Sequence, residues 1–464
     1  MKLFLDGVAL FFLIYLTVYA TYLFFSVATG ALALYRQNKM LHIKNELKHN
    51  YYFPVSLLVP AYNEEVTILE NVRSLLNLEY RLYEVVVVDD GSQDRTCDVV
   101  GVAYEMQKVN GPIRMAVPCQ PLRAIYEAQV GAVRLTLIQK ENGGKGDALN
   151  MGINAASFPY FICIDADSML QKDSLERIVQ PVMADDTVVA VGGMVRVVQH
   201  VDNLSQAGRR RRLFWALLTG MQTLEYDRSF LASRIMLDNF NGNMIISGAF
   251  GLFKKDVVIA AGGYDTATLG EDMELVMKLH AFCRSNRIPY AIRYAPNAIC
   301  WSQAPGSFRD LGKQRRRWHL GLFQSLMKYR YIFMNREFGA LGFLSYLYYL
   351  LYELLSPFVE IFGLFATVLA CLFGYLNMPL MIGFYLLYAF YGAALTVTAF
   401  FQRIYMQGSS LSLRDIGPAL VLCFAEGILF HFFLTYIRAT AFIGYRKRKL
   451  QWGQIKREKQ QMHS

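Results

Sequence analysis

The chain predicts an α/β sheet domain set between membrane segments. Two observations carry that expectation. From Phe53 onward, short β-branched apolar runs alternate with helical stretches, the pattern of a parallel sheet between helices. Apolar stretches gather at both ends of the 464 residues, and 54% of all residues are apolar or aromatic. That distribution fits membrane spans better than one large soluble core.

Taken in order, Phe53–Pro60 reads as a buried strand and is followed by helix through Leu78. Tyr83–Val88 is a second strand, cut off by Asp89-Asp90-Gly91-Ser92, with a helix over Asp94–Lys108. Asn110–Val133 has early Pro and Gly and no clear period, so an inserted loop with one short helix is expected. Leu135–Gln139 resumes the sheet, and Asn142-Gly143-Gly144-Lys145-Gly146 opens a helix over Asp147–Ala156. Tyr160–Ile164 and Val188–Val198 read as strands, Asp272–Phe282 as helix. An amphipathic helix is expected from Gln314 to about Tyr331.

The ends set the compartment. Val8–Leu34 carries no charge, enough to cross a hydrocarbon core of roughly 30 Å. A cleaved signal peptide is the rival, because Ala31-Leu32-Ala33 resembles a small-residue site; the run is longer than the usual apolar region of about 7–15 residues. Arg36, Lys39, Lys44 and Lys48 follow, which places the next domain in the cytoplasm. Three apolar segments come late: Phe343–Leu376, Leu380–Phe401 and Ile416–Ile443. Glu353 and Glu360 share a helical face there, with Pro357 predicting a kink between them; Glu426, His431 and Arg438 interrupt the last segment. Such groups either pack against the soluble domain or line a path for a ligand. Three full spans after a cytoplasmic domain would put the basic end, Arg446 to Lys459, outside; the positive-inside bias therefore favours one interfacial or divided segment. The expected domains are an anchor at 1–36, a cytoplasmic catalytic domain at 50–335 ending in an interface helix, membrane segments at 338–445 and a basic cytoplasmic tail at 446–464. The net charge of +10 resides largely in that tail, so anionic lipid and not nucleic acid is the expected partner. The seven cysteines show no zinc spacing and demand no disulfide.

Several motifs carry chemistry. Asp165-Ala166-Asp167 follows a strand at the sheet edge where ligands bind in open α/β folds. Strand alternation would point the two carboxylates oppositely, so the chain must turn for both to reach one diphosphate–cation group. Asp89-Asp90 has the same placement; a turn and cap, a base or ribose contact, or both, explain it. Asp272, in Gly270-Glu271-Asp272, is either a helix N-cap or a base for an acceptor hydroxyl. In Gln314-Arg315-Arg316-Arg317-Trp318 the arginines cannot all face one way, since successive helical residues turn by about 100°. Arg317 is the candidate to fork onto a diphosphate, and Trp318 offers a flat face for a sugar ring or an anchor at the bilayer surface. Lys145 can meet phosphate. Arg209–Arg212 reads as a solvated helix end or a phosphate attractor.

The phrases VPAYNEE, VVVDDGSQDRT, ENGGKGDALNMGI, IDADS, SGAFGLF, GGYD, GEDMEL, CW and QRRRW occur in one order. Over roughly Pro54–Trp318 the chain resembles the inverting family 2 glycosyltransferases of the membrane polysaccharide-synthase type, and most of all poly-β-1,6-N-acetylglucosamine synthase-like proteins. The resemblance implies a GT-A (Rossmann-like nucleotide-binding) catalytic domain inserted between transmembrane helices. It implies that Ala61, Tyr62, Glu64 and Asp90 hold uridine, that Lys145 and Asp165 contact the nucleotide, and that Asp167 binds Mg2+ or Mn2+. Asp272 would be the general base, and Gln314, Arg317, Trp318 and Trp301 would hold the diphosphate and acceptor. The chain departs from the pattern with GED in place of TED and with the Asn110–Val133 insertion, and control by a cyclic dinucleotide through a cytoplasmic regulatory domain after the membrane segments is not expected.

The function implied is transfer from a UDP-sugar, UDP-N-acetylglucosamine first, to a growing β-linked glycan at the inner (plasma) membrane. A multi-pass chain would export the product, and an accessory membrane subunit is compatible with that. The alternatives are transfer of one sugar to a lipid or other membrane acceptor, and an inactive transport scaffold; Asp167, Asp272 and Arg317 together argue against the last.

Overall fold

A computed structural model describes residues 2–44, 52–198, 209–376, 378–407, 421–426, 430–443 and 445. The basic tail 446–464 and part of the last apolar segment lie outside the described residues.

Helix α1 (Lys2–Lys44) leads into the sheet domain. There β1 (Val55–Ala61), α2 (Ile68–Leu76), β2 (Tyr83–Asp89), α3 (Thr96–Ala103), β3 (Gln107–Val109), β4 (Leu122–Val130) and β5 (Val133–Lys140) come first. Then follow α4 (Lys145–Ala155), β6 (Tyr160–Cys163), β7 (Ser168–Leu170), α5 (Ser174–Ala184) and β8 (Val188–Val197). Next are α6 (Arg209–Arg228), α7 (Arg234–Asp238), β9 (Gly251–Lys254), α8 (Lys255–Ala260), α9 (Glu271–Ser285), β10 (Ala291–Ser302) and α10 (Phe308–Lys328).

The strands form one sheet in the order β3-β4-β5-β2-β1-β6-β9-β8-β10-β7. β5, β2, β1 and β6 run parallel; β9 is antiparallel to both β6 and β8, and β8 and β10 are parallel. Connections leave β1 toward β2 on one side and β6 pairs on the other, so the crevice at the carboxyl ends of β1 and β6 is the switch point of the parallel half.

Alternation along the strands supplies both faces. Leu57, Val59, Val85, Val87, Ile162 and Ile164 pack with Ile68, Val72, Leu75, Leu175 and Ile178 of α2 and α5. Leu58, Val86, Val88, Phe161 and Cys163 pack on the opposite face with Leu149, Met151 and Ile153 of α4 and Leu275 and Leu279 of α9. Each of these side chains stays out of water by being sandwiched, which is why the runs read as continuously apolar.

Several boundaries differ from expectation. Asn110–Val133 is not a loop with a helix: it contains β4, paired antiparallel with β5 from Leu122 to Val130. Its half-exposed, mixed composition hid the strand, because an outer strand has no apolar period on its solvent side. The helix expected over Asp94–Lys108 stops at Ala103, where Glu105 adopts φ 47°. β10, unmarked in the sequence reading, pairs with both β8 and β7. α10 begins at Phe308, six residues before Gln314, because Ser307 caps it by accepting from the Asp310 amide at 3.1 Å.

Among the described residues, α1 is long and apolar enough over Lys2–Arg36 to cross a membrane. The segments Leu341–Leu354 and Ser356–Leu372 pass the same test together and bend by 52° at their junction, with Pro357 at the start of the second. The predicted kink is there, for the expected reason: proline suits a first helical turn and not an interior. Helices Met378–Gln407 and His431–Ala439 follow.

Candidate active site

The site is built upward from the carboxyl ends of the strands. After β1, Asn63 takes φ 55°; its amide donates to Ser92 Oγ at 2.9 Å, and its side-chain oxygen accepts from the Gln93 amide at 2.8 Å. Glu64 donates its amide to Thr96 Oγ1 at 2.9 Å and accepts from Thr67 at 2.6 Å. The loops after β1 and β2 thus clasp each other, and Ala61, Tyr62, Glu64 and Asp90 lie at one edge.

Asp90 is buried and bound from three sides: by the Lys140 ammonium, by the Gly143 amide at 3.0 Å and by the Gly144 amide at 2.7 Å. Lys140 is fully buried and also pairs with Asp147 at 2.6 Å. The sequence reading passed over Lys140, whose only signal was a charge ending an apolar strand. Its two acids hold the glycine-rich turn onto the sheet. A Cβ on Gly143 would fall 2.5 Å from Asp147, so that turn needs glycine there.

Asp165-Ala166-Asp167 turns as required. The Ser168 amide donates to the Asp165 carbonyl at 2.9 Å, and Asn71 Nδ2 donates to the same carbonyl at 3.1 Å. The Asp165 side chain meets Lys145 Nζ at 2.5 Å, with Glu271 Oε1 3.8 Å from the same ammonium. Burial opposes the Lys145 charge, but Asp165, Glu271 and Asp272 outweigh it and hold its pKa above the ordinary lysine value. Burial raises the Glu271 carboxyl, against the pull of Lys145 and Arg317.

Asp272 is not the N-cap of α9; Gly270 is, without any side-chain cap. Asp272 Oδ1 accepts from the Met273 amide at 2.9 Å and Oδ2 from the Gly248 amide at 3.2 Å. A helix N-terminus favours a carboxylate in this place. Gly248, in SGAF, is a second residue the sequence reading left without a role: a Cβ there would sit 3.0 Å from Lys145 Nζ and 3.5 Å from Asp272 Cβ.

α10 is pressed onto this acidic motif by two glycines. A Cβ on Gly270 would come within 2.9 Å of Gly321 Cα, and one on Gly321 within 2.7 Å of the Gly270 backbone. Gln324 Oε1 then accepts from the Leu269 amide at 2.8 Å. This crossing brings Arg317 within electrostatic reach of Glu271. Arg315 turns the other way, buried in a two-pronged ion pair with Glu225 at 2.8 and 2.7 Å, and Arg316 reaches Thr440 at 3.5 Å. The three arginines diverge as helical geometry demands. Gln314 Oε1 is buried with no hydrogen-bond partner among the described residues.

Trp318 is 39% exposed, with the Arg315 guanidinium 4.5 Å from its ring centre and Tyr226 at 6.4 Å. The Tyr226 hydroxyl lies in the field of both Arg315 and Asp167, so the tryptophan and the second aspartate of the turn share a neighbour. Trp301 stands on β10 opposite Met169, just past that turn, with Arg196 at 5.7 Å from its ring centre. Lys145 thus meets Asp165 and Glu271, with Asp272 and Arg317 within electrostatic reach of that pair of groups, while Trp318 and Trp301 stand on α10 and β10. The side chains of Arg209–Arg212 lie outside the description.

A mixed α/β sheet with this cluster at its carboxyl edge defines the class: a GT-A glycosyltransferase domain. Residues 56–112 match the family model for glycosyl transferase family 2, and residues 119–321 match glycosyltransferase like family 2. The chain belongs to glycosyltransferase family 2, as a polysaccharide synthase-like protein. It is 30% identical over 292 residues to a poly-beta-1,6-N-acetyl-D-glucosamine synthase of Staphylococcus epidermidis, covering 63% of this chain and 59% of that one. The synthase of the same name from Staphylococcus aureus strain COL is 30% identical over 275 residues, covering 59% of this chain and 56% of that one. The match thus spans less than two thirds of these relatives' length. A mannosyltransferase from Pyrobaculum calidifontis, solved with GDP-mannose and Mn2+, superposes with TM-score 0.54 at 20% identity, over 89% of this chain and 99% of that one. That likeness establishes the shared fold.

Proposed function

We propose that the chain is an inverting hexosyltransferase that moves a sugar, N-acetylglucosamine first among candidates, from a UDP-sugar to a growing β-linked glycan at the cytoplasmic face of the plasma membrane. The convergence of Lys145, Asp165, Glu271 and Asp272 beside α10 carries this reading. The N-acetylglucosamine polymer named for the staphylococcal relatives supports the choice of donor.

In this reading Ala61, Tyr62, Glu64 and Asp90 border the uridine, and Lys145 and Arg317 face the diphosphate. Asp272, held by two backbone amides, takes the proton of the acceptor hydroxyl as its oxygen attacks the anomeric carbon and UDP departs. A single displacement inverts that carbon. Gln314 and Trp301 flank the acceptor, which stacks on Trp318. Among the described residues no three acidic, His or Cys side chains form a ready metal cage. Asp167 would hold Mg2+ or Mn2+, beside Asp165 on its Lys145 partner; such cations keep few protein ligands when a diphosphate is bound. When bound, the cation would neutralise diphosphate charge. α1 and the bent pair around Pro357 support the domain plan of an anchor, a cytoplasmic domain over 50–335 and membrane segments over 338–445.

The test uses the purified full chain in lipid nanodiscs with UDP-N-acetylglucosamine or UDP-glucose, with Mg2+, Mn2+ or a chelator. A ladder of products that vanishes with chelator is expected. A single-sugar product with every donor would reject processive extension in favour of transfer to one membrane acceptor. No turnover of any UDP-sugar would reject the enzymatic reading.

A further inference from the structure

We infer that Glu225 is a positioning residue for the acceptor: acting through Arg315, it sets the orientation of the Trp318 ring and ties that ring to the helix His431–Ala439. The inference rests on the proposed use of Trp318 as the acceptor platform.

Arg315 and Trp318 are three apart on α10, so they share a helical face. Arg315 is 4% exposed, and its guanidinium carbon lies 4.5 Å from the indole centre. A guanidinium so buried needs a carboxylate, and Glu225 supplies both oxygens, at 2.8 and 2.7 Å. The planar fork can hold a carboxylate at its edge while its face lies against an aromatic ring; an ammonium cannot do both. Tyr226, next along α6, approaches the same indole at 6.4 Å. α6 thus buttresses the ring twice, once through the ion pair and once directly.

Glu225 serves a second arginine. Arg438 Nη2 lies 3.9 Å from Glu225 Oε1, and Arg438 Nη1 lies 3.9 Å from Glu353 Oε2. A line of alternating charge therefore runs from the bent segment before Pro357, through the helix His431–Ala439, to α6 and on to the face of Trp318. Among the described residues, the contacts of Arg315 run to Glu225 and Trp318. If Glu225 only braced the fold, its loss would weaken donor and acceptor use alike.

The experiment labels the full chain, in nanodiscs, with 5-fluorotryptophan. Its four tryptophans give separable fluorine resonances, with that of Trp318 assigned through W318F. In Glu225→Gln the Trp318 resonance should move while the other three stay. The acceptor KM, measured with a β-1,6-linked N-acetylglucosamine oligomer, should rise about tenfold, within the range of one partly buried cation–π contact. Donor KM and UDP affinity should stay unchanged. Arg315→Lys, which keeps the charge but loses the fork, should do the same, and Glu225→Asp should recover part of the acceptor KM. An unmoved Trp318 resonance in both variants overturns the inference, as does a parallel rise of donor and acceptor KM. If the unsubstituted chain transfers no sugar, the proposed function fails, yet the fluorine spectra still decide whether Glu225 orients the ring.

Discussion

The two sides of the site are assembled differently. On the proposed nucleotide side, charges are satisfied at the ends of two adjacent parallel strands, β2 and β5: Lys140 joins Asp90 to Asp147, and Gly143 and Gly144 complete the Asp90 carboxylate. On the proposed acceptor side, the partners sit on separate helices. Arg315 depends on Glu225, Arg438 joins Glu225 to Glu353, and α10 reaches the acidic motif only through Gly270 and Gly321. The first region is a cradle set by the parallel sheet. The second is a joint between helices, where small displacements reach the chemistry.

The largest expected effect breaks the site at its centre. Asp272→Asn should lower kcat by about a thousandfold, within the range for a lost general base, while UDP affinity measured by calorimetry stays unchanged. Survival of turnover would move the base elsewhere, with Glu271 the nearest carboxylate.

Lys140→Met tests the cradle. It leaves Asp90 and Asp147 buried without their shared cation, and the loss should be about 3–5 kcal/mol, read as a fall in thermal unfolding temperature together with weaker UDP binding. An unchanged unfolding temperature would mean that the ion pairs contribute nothing to holding the turn.

Gly321→Ala tests the joint. The new methyl meets the Gly270 backbone, so α10 must shift, at a cost of about 1–3 kcal/mol. Turnover should fall by more than UDP binding does; equal losses would show that the joint serves the whole site and not its acceptor side.

The smallest effect is a pH dependence. Burial, opposed by Arg293, pushes Asp238 at the end of α7 from 3.8 up to about 6. With a raised folded value, the contribution to stability is fully present below 3.8 and is lost as pH rises through about 6. Asp238→Asn should therefore stabilise the chain at pH 7 by about 1–2 kcal/mol and flatten unfolding temperature between pH 4 and pH 7, as read by thermal melts. A pH profile identical to that of the unsubstituted chain would remove the buried charge from the account.

The cradle was largely legible beforehand. β1, β2, β5 and β6 are short apolar runs closed by acidic or glycine turns, and the Asp165–Asp167 turn was expected because alternation would otherwise keep the two carboxylates from one ligand. β4 and β10 were not legible: β4 is half exposed, and β10 derives its identity from β8 and β7 on either side. Lys140, Gly248, Gly321 and Glu225 carried no local pattern. Each matters for what lies against it, and those partners are between 7 and 213 residues away.

By itself, then, the order of residues determined the sheet's central strands, the apolar ends, the proline bend and the divergence of the three arginines, because period, charge and backbone chemistry act within a few residues. Tertiary structure alone decided which carboxylates meet Lys145, that Asp272 is held by backbone amides and is no cap, and which acid steadies the arginine beside Trp318. Those outcomes depend on distances between segments far apart in the chain, which only packing can set.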